Sequence, residues 1–215
     1  MEDNDLYAAL LHEMKNNLVL LAMTLDNIPH CGEELHDAPL DAARLLAQRT
    51  SERLLQSLLI YKNSQGGVIL NAVDAYSTED FVQELAQHTR SLKGTLTVTA
   101  EVDDEVPAIW FFDRNMLEMA MINAVHNSIS YARQQIHIRA SIRDGMLAIS
   151  VRDDSDGYPA HILEAVAEDR TLQTSGTGLG LRFARLIARA HQNEGKVGEL
   201  RLYNENGAVF EIRVP

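Results

Sequence analysis

Four short segments of the 215-residue chain hold residue types whose spacing could do chemistry. In the run from Ser175 to Leu181, glycines stand at 176, 178 and 180 immediately ahead of a helical pattern. Glycine lacks the Cβ that keeps an anion away from backbone N–H groups. The helix that follows adds free amides and the positive end of its dipole, so the stretch could cradle a polyphosphate without a basic side chain. A plain glycine turn entering a helix explains the same residues. Asn123 and Asn127 form an i, i+4 pair inside the apolar run Met116-Leu117-Met119-Ala120-Met121-Ile122. Two amides on one helix face are costly if buried without partners. Their carbonyls could hold a hard cation such as Mg²⁺ together with phosphate oxygens, or they could form a simple polar patch.

Asp153 ends the alternation Leu147, Ile149, Val151, which turns its carboxylate inward. An inward carboxylate requires a donor. An adenine amino group would serve, and so would the backbone amides of the turn Ser155-Asp156-Gly157. His12 directly follows Leu11 of an apolar seam, and Asn16 lies one helical turn further on. An imidazole that titrates near neutrality can attack a phosphoryl group, and an amide beside it could position water. For this segment alone, a surface histidine and a surface asparagine on an amphipathic helix are the simpler reading.

The elements that must position these groups fall into two regions. Between Leu6 and Ile28, the residues Leu11, Met14, Leu18, Leu21, Leu25 and Ile28 follow steps of 3, 4, 3, 4, 3, the seam of a bundle helix. A loop spans Pro29 to Pro39, and a second helical stretch runs from about Leu40 to Lys62. Two helices cannot bury so wide a stripe between themselves, so the hairpin predicts a homodimer built as a four-helix bundle. Ser64-Gln65-Gly66-Gly67 divides the chain into a helical domain, 1–65, and a mixed domain, 66–215.

The second region reads as α+β. Strands are expected at Val68 to Ala75, Leu96 to Val102, Ala108 to Phe112, Ile136 to Ile142, Leu147 to Val151, Val197 to Asn204 and Ala208 to Val214. Helices are expected from Ser77 to about Lys93, from Arg114 to about Tyr131 after a capping Asp113, and from Gly178 to His191. Asp144-Gly145 and Asn206-Gly207 mark hairpins, which imply a mixed or antiparallel sheet with helices on one face.

Composition narrows the function. Acidic residues outnumber basic ones 31 to 19, a net charge of -12, which opposes binding to nucleic acid or anionic lipid. The single cysteine, Cys31, excludes an internal disulfide. No run approaches the roughly 18 apolar residues of a membrane span, and the acidic start Met-Glu-Asp-Asn-Asp is unlike a secretory signal. A cytoplasmic protein that takes its input from a separate sensor protein or cytosolic ligand is the expectation.

Taken in order, His12-Glu13-Met14-Lys15-Asn16, Asn123 to Asn127, Asp153 with Gly157, and Gly176-Thr-Gly-Leu-Gly180 resemble the H, N, G1 and G2 boxes of two-component sensor histidine kinases. The resemblance covers nearly the whole chain. It implies a Bergerat-type ATP-binding fold in which ATP and Mg²⁺ are the cofactors and a response regulator receiver domain is the partner. It also implies the residue roles. His12 would be the phosphoacceptor, Glu13 would orient its proton, and Asn16 would position water for a phosphatase reaction. Asn127 would bind the metal and Asn123 would support the phosphate site, with Tyr131 the aromatic residue after them. Asp153 would read the adenine amino group and Gly157 would let the chain pass close to the nucleotide. Gly176, Thr177, Gly178, Leu179 and Gly180 would hold the phosphates.

The chain departs from the pattern at Ser155, where a glycine is usual, at Ser130, and in Ile162 to Val166, which has no phenylalanine. From Gly157 to Gly176 is only 176 − 157 = 19 positions, a short lid. These departures keep two further readings open: a histidine phosphotransfer protein whose kinase-like domain binds no ATP, and a non-catalytic module that sequesters a regulator.

Overall fold

The computed structural model of the chain describes residues 72–92, 95–168, 170 and 179–215, with Glu13, Met14, Asn16, Asn17, Leu20, Leu21, Met23, Thr24, Ala43, Leu46 and Thr50 from the first region. Those early residues are all helical. Thr24 and Thr50 return their hydroxyls to the carbonyls of Leu20 and Leu46, 2.8 Å in each case. His12, the expected loop at 29–39 and the expected boundary at 64–67 lie outside the described residues, as do Gly176, Thr177 and Gly178.

From residue 73 the order is β1 (Val73–Ser77), α1 (Thr78–Leu92), β2 (Thr97–Val102), β3 (Ile109–Asp113), α2 (Arg114–Tyr131), β4 (Gln135–Arg143) and β5 (Met146–Asp153). Then come α3 (Ala160–Ala167), α4 (Leu179–Ala190), β6 (Gln192–Asn193), β7 (Lys196–Val197), β8 (Glu199–Asn204) and β9 (Ala208–Val214). The main sheet has the order β2-β4-β5-β9-β8. β2 runs parallel to β4 and every other pairing is antiparallel, so the sheet is mixed as expected. The parallel pair follows from connectivity, because β3 and α2 intervene between β2 and β4 and carry the chain back to the same end.

Alternation decides which face is covered. Val98, Ile136, Ile138, Ile149, Val151, Phe210 and Ile212 point to one side and are buried there beneath α1, α2 and α4 with Leu85, Leu117, Met121, Phe183 and Ile187. The opposite face is polar. Arg213 lies on it near the end of β9, joining Glu211 (2.6 Å), Asp144 (2.9 Å) and Glu199 (3.1 Å). The Tyr203 hydroxyl donates to Glu211 at 3.1 Å. Burial, with the Glu211 charge second, pushes that phenol up to about 12. Capping explains the starts of α1 and α2. Asp113 accepts from the amide of Met116 (3.1 Å) and Ser77 from the amide of Asp80 (3.1 Å).

Three features differ from the sequence reading. The first strand runs on to Ser77. The segment read as a short lid begins with helix α3. The strand expected from Val197 is broken at Gly198, whose missing Cβ leaves room for the carbonyls of Ala188 and Arg213, and its start pairs with β6 across Glu194-Gly195, both at positive φ.

His191 joins the layers just beyond α4. It is 3% exposed; Nδ1 donates to the Ile187 carbonyl (2.8 Å) and Nε2 accepts from the Asp113 amide (3.0 Å), which requires the neutral ring. Burial pushes the imidazole below its ordinary 6.5, outweighing the Ile187 carbonyl and the Asp113 charge, which pull it up. A lowered folded value means that the unfolded chain binds the proton more readily. The stabilisation is therefore complete above about 6.5 and is lost as pH falls through the folded value. Thermal melts from pH 8 to pH 5 should show the wild-type chain losing stability below pH 6.5 more steeply than His191→Gln; parallel curves would refute this. Phe183→Ala should cost about 3–5 kcal/mol in urea unfolding, because the site is fully enclosed.

Candidate functional site

Helix α2 carries the two asparagines where the core needs an apolar helix. Its buried residues, among them Leu117, Ala120, Met121, Ala124 and Val125, face the sheet and the neighbouring helices. Asn123, Asn127 and Tyr131 recur every four residues, so they line one stripe. The stripe runs outward from half-buried Asn123 through exposed Asn127 to Tyr131, which is 69% exposed at the helix end.

The inner end of this stripe meets the last glycine of the opening stretch. Gly180 lies in the first turn of α4, and a Cβ built there would overlap the side-chain amide of Asn123. Two of the four segments are thus in direct contact although 57 positions separate them (180 − 123 = 57). The Nδ2 atom of Asn123 is buried and has no hydrogen-bond acceptor. Leu179, beside Gly180, is buried at 3% exposure and anchors the start of α4 in the core.

Asp153 stands at the end of β5, opposite Ile136. It is 5% exposed and points inward, as its alternation predicts. Its Oδ1 accepts from the Ser155 amide (3.0 Å) and, at longer range, from the Ala208 amide (3.4 Å). The turn-amide reading of this carboxylate therefore holds for one oxygen. Ser155 does more than replace a glycine, since its Oγ also accepts from the Gly157 amide (3.2 Å). Gly157 adopts φ 88°, a left-handed conformation that suits glycine.

The sequence reading passed over several residues that hold this end of the domain. Asp154 accepts from the amides of Arg133 (2.8 Å) and Gln134 (2.9 Å), tying the exit of α2 to the end of β5. Burial works to raise its carboxyl, but the amides of Gln134, Gln135 and Arg133 outweigh it and hold the group below its ordinary value. Asp156 pairs with the Arg133 side chain. Burial, then the Asp153 charge, drives the Tyr158 phenol upward, so it stays protonated at neutral pH. Asn204 closes on the backbone of Tyr158. The only hint in the sequence is that Asn204 precedes a turn; nothing local points to a partner 46 positions away.

The amide stripe of α2 thus meets the entry to α4 at Gly180, while side-chain-to-backbone hydrogen bonds tie the exit of α2 to the end of β5 beside Asp153. Of the N-terminal candidates, Glu13 is helical and half-buried and Asn16 is helical and exposed. Among the described residues no group of three or more His, Cys, Asp or Glu side chains is arranged to hold a metal. No helix among them is long and apolar enough to cross a membrane.

Residues 112–215 match the family of histidine kinase-, DNA gyrase B- and HSP90-like ATPases. Over 220 residues the chain is 26% identical to the signal transduction histidine-protein kinase AtoS of Escherichia coli, covering 98% of this chain and 34% of that one. Over 225 residues it is 24% identical to the sensor-like histidine kinase SenX3 of Mycolicibacterium smegmatis, covering 98% and 57%. The chain thus spans about a third of the first relative and just over half of the second.

Among solved structures, the histidine kinase AdeS of Acinetobacter baumannii superposes with a TM-score of 0.66 at 15% identity, over 94% of this chain and 96% of that one. The histidine kinase ThkA in complex with the response regulator protein TrrA superposes with a TM-score of 0.65 at 19% identity, over 98% and 61%. The mixed sheet and its helices are the histidine kinase-type ATPase fold. Residues 112–215 are thus of the histidine kinase-type ATPase family, and these relatives support the two-component sensor histidine kinases as the family of the chain.

The contact at Gly180 has a measurable sign. In an open helical position Gly→Ala stabilises by about 0.5–1 kcal/mol. Here the added methyl must displace the Asn123 amide, so Gly180→Ala should lower stability by about 1–3 kcal/mol in denaturant unfolding. A gain in stability would show that α2 and α4 stand further apart.

Proposed function

We propose that the chain is a histidine kinase that moves the γ-phosphoryl of Mg-ATP to an imidazole nitrogen of His12 and then to an aspartate on a response regulator receiver domain. The observation that carries this reading is the contact between Asn123 and Gly180, which joins the amide stripe to the glycine stretch and leaves a buried amide donor without an acceptor. A phosphate oxygen would satisfy that donor. Asp153 retains Oδ2 for the exocyclic amine of adenine, since both of its backbone bonds reach Oδ1. Gly176, Thr177, Gly178 and Leu179 would supply amides to the phosphates ahead of α4.

Asn127 suits Mg²⁺ because it is a neutral carbonyl on the exposed side of α2, one turn from Asn123. The ion characteristically takes one or two protein ligands and fills the rest of its shell with phosphate oxygens and water. Bound there, it would neutralise charge on the triphosphate. The phosphoryl step breaks the bond to the departing ADP oxygen and forms a phosphorus–nitrogen bond at His12, while Glu13 takes or orients the ring proton. Catalysis of this kind rests on positioning and charge neutralisation. Asn16, one turn beyond His12, would place water for hydrolysis of the phosphorylated partner.

The hairpin seam supports a homodimeric four-helix bundle formed by domain 1–65, ahead of an ATP-binding domain over 66–215. Among the described early residues, Leu20 and Met23 are more than half exposed and offer apolar surface for association. The complex of ThkA with TrrA supports a response regulator as partner. The regulator, the signal and a cytoplasmic setting with input from a separate sensor belong to this proposal. The short lid of 19 positions favours a second reading, a phosphotransfer protein that binds no ATP.

Incubation with γ-labelled ATP and Mg²⁺ separates these readings. The chain should take up acid-labile label, and His12→Ala should abolish it. Full labelling of His12→Ala would refute the phosphoacceptor. A chain that binds no ATP yet accepts phosphate from a phosphorylated receiver would establish the second reading.

A further inference from the structure

Asn204, the last residue of β8, uses its side chain as a piece of strand backbone. Its Oδ1 accepts from the Tyr158 amide (2.7 Å) and its Nδ2 donates to the Tyr158 carbonyl (2.9 Å). Both polar groups of one backbone residue in the turn after β5 are thus held by one rigid amide. The turn is shaped around it: a Cβ on Gly157 would stand 2.7 Å from the Asn204 Cγ and Oδ1, closer than real Cβ contacts come. At the other end of the same turn, the β8–β9 connection closes on Asp153. Ala208 donates to its Oδ1, and a Cβ on Gly207 would overlap its carbonyl oxygen.

We propose that Asn204 is the positioning residue of base recognition, holding the turn from Ser155 to Tyr158 so that the Asp153 carboxylate and the Tyr158 ring keep their places at the base end of the nucleotide site. The proposal rests on the reading of Asp153 as the adenine-recognising group. Asn204 itself touches no ligand. It acts through the turn, in the manner of outer residues that orient a binding group and remove its freedom before the ligand arrives.

The fold does not need this side chain. Asn204 is exposed, and its pairing with Ala208 is made by backbone groups that any residue supplies. The pairing of β8 with β9 along Glu199 to Asn204 is independent of the amide. Loss of the amide should therefore free the turn while leaving the sheet intact.

The test measures ATP and GTP binding by calorimetry on the full 215-residue chain and on Asn204→Ala. The wild-type chain should prefer ATP. In the variant, ATP affinity should fall about tenfold and the preference for ATP over GTP should shrink by a similar factor, because a freed turn no longer aims the base-reading groups. A merely structural role would weaken both nucleotides equally, and retention of the full preference overturns the proposal while leaving Asp153 as the adenine reader. A wild-type chain without preference removes that reading and the proposal together. Should Asn204→Ala fail to fold, Asn204→Asp keeps the acceptor for the Tyr158 amide and loses the donor to its carbonyl. It should then show a smaller loss of preference, about two- to threefold, and an unchanged ratio overturns the proposal.

Discussion

The close approach of α2 and α4 is the constraint on which the rest of the domain depends. Asn123 is a polar residue beside the buried face of a helix that packs on the sheet and its neighbours, and its amide occupies the space a side chain at 180 would need. Leu179 locks the start of α4 into the core beside it, and Phe183 and Ile187 continue the contact against the sheet. The orientation of the first turn of α4 is set by apolar packing.

A different kind of force holds the opposite side of the site. Around Asp153 the contacts are hydrogen bonds from side chains to backbone: Asp153 to Ser155 and Ala208, Asp154 to Arg133 and Gln134, Ser155 to Gly157, and Asn204 to Tyr158. Such bonds contribute modestly to stability, roughly 0.5–1.5 kcal/mol each. Their value here is geometric, because they join the exit of α2, the end of β5 and the β8–β9 connection at a point where no apolar side chain could fill the gap. The serine in place of a glycine at 155 fits this scheme, since its hydroxyl and amide each take up one of those bonds.

The polar face of the sheet is organised apart from the site. Arg213, with its side chain 11% exposed, satisfies Glu211, which is 4% exposed and would be a costly unpaired charge without it. This face gathers the charges of the sheet away from the side beneath the helices, where Asp153 at the end of β5 is a buried carboxylate.

The sequence by itself determined the local elements and their order. The span of α2 from Arg114 to Tyr131 with its Asp113 cap, the turn at Asp144-Gly145, the closing strand from Ala208 to Val214 and the inward side of Asp153 all follow from capping chemistry, left-handed turn residues and a period of two. The order of the four motifs also led to the histidine kinase resemblance that the family match supports. Tertiary structure alone decided what lies across space: that Gly180 makes room for Asn123, that Gly157 and Gly207 are shaped by Asn204 and the Asp153 carbonyl, that His191 latches the Asp113 amide, and that a helix begins the lid. The physical reason is range. Propensity, capping and alternation act within a few residues, whereas the close approaches that make this site join segments 46 to 78 positions apart, and no local pattern encodes them.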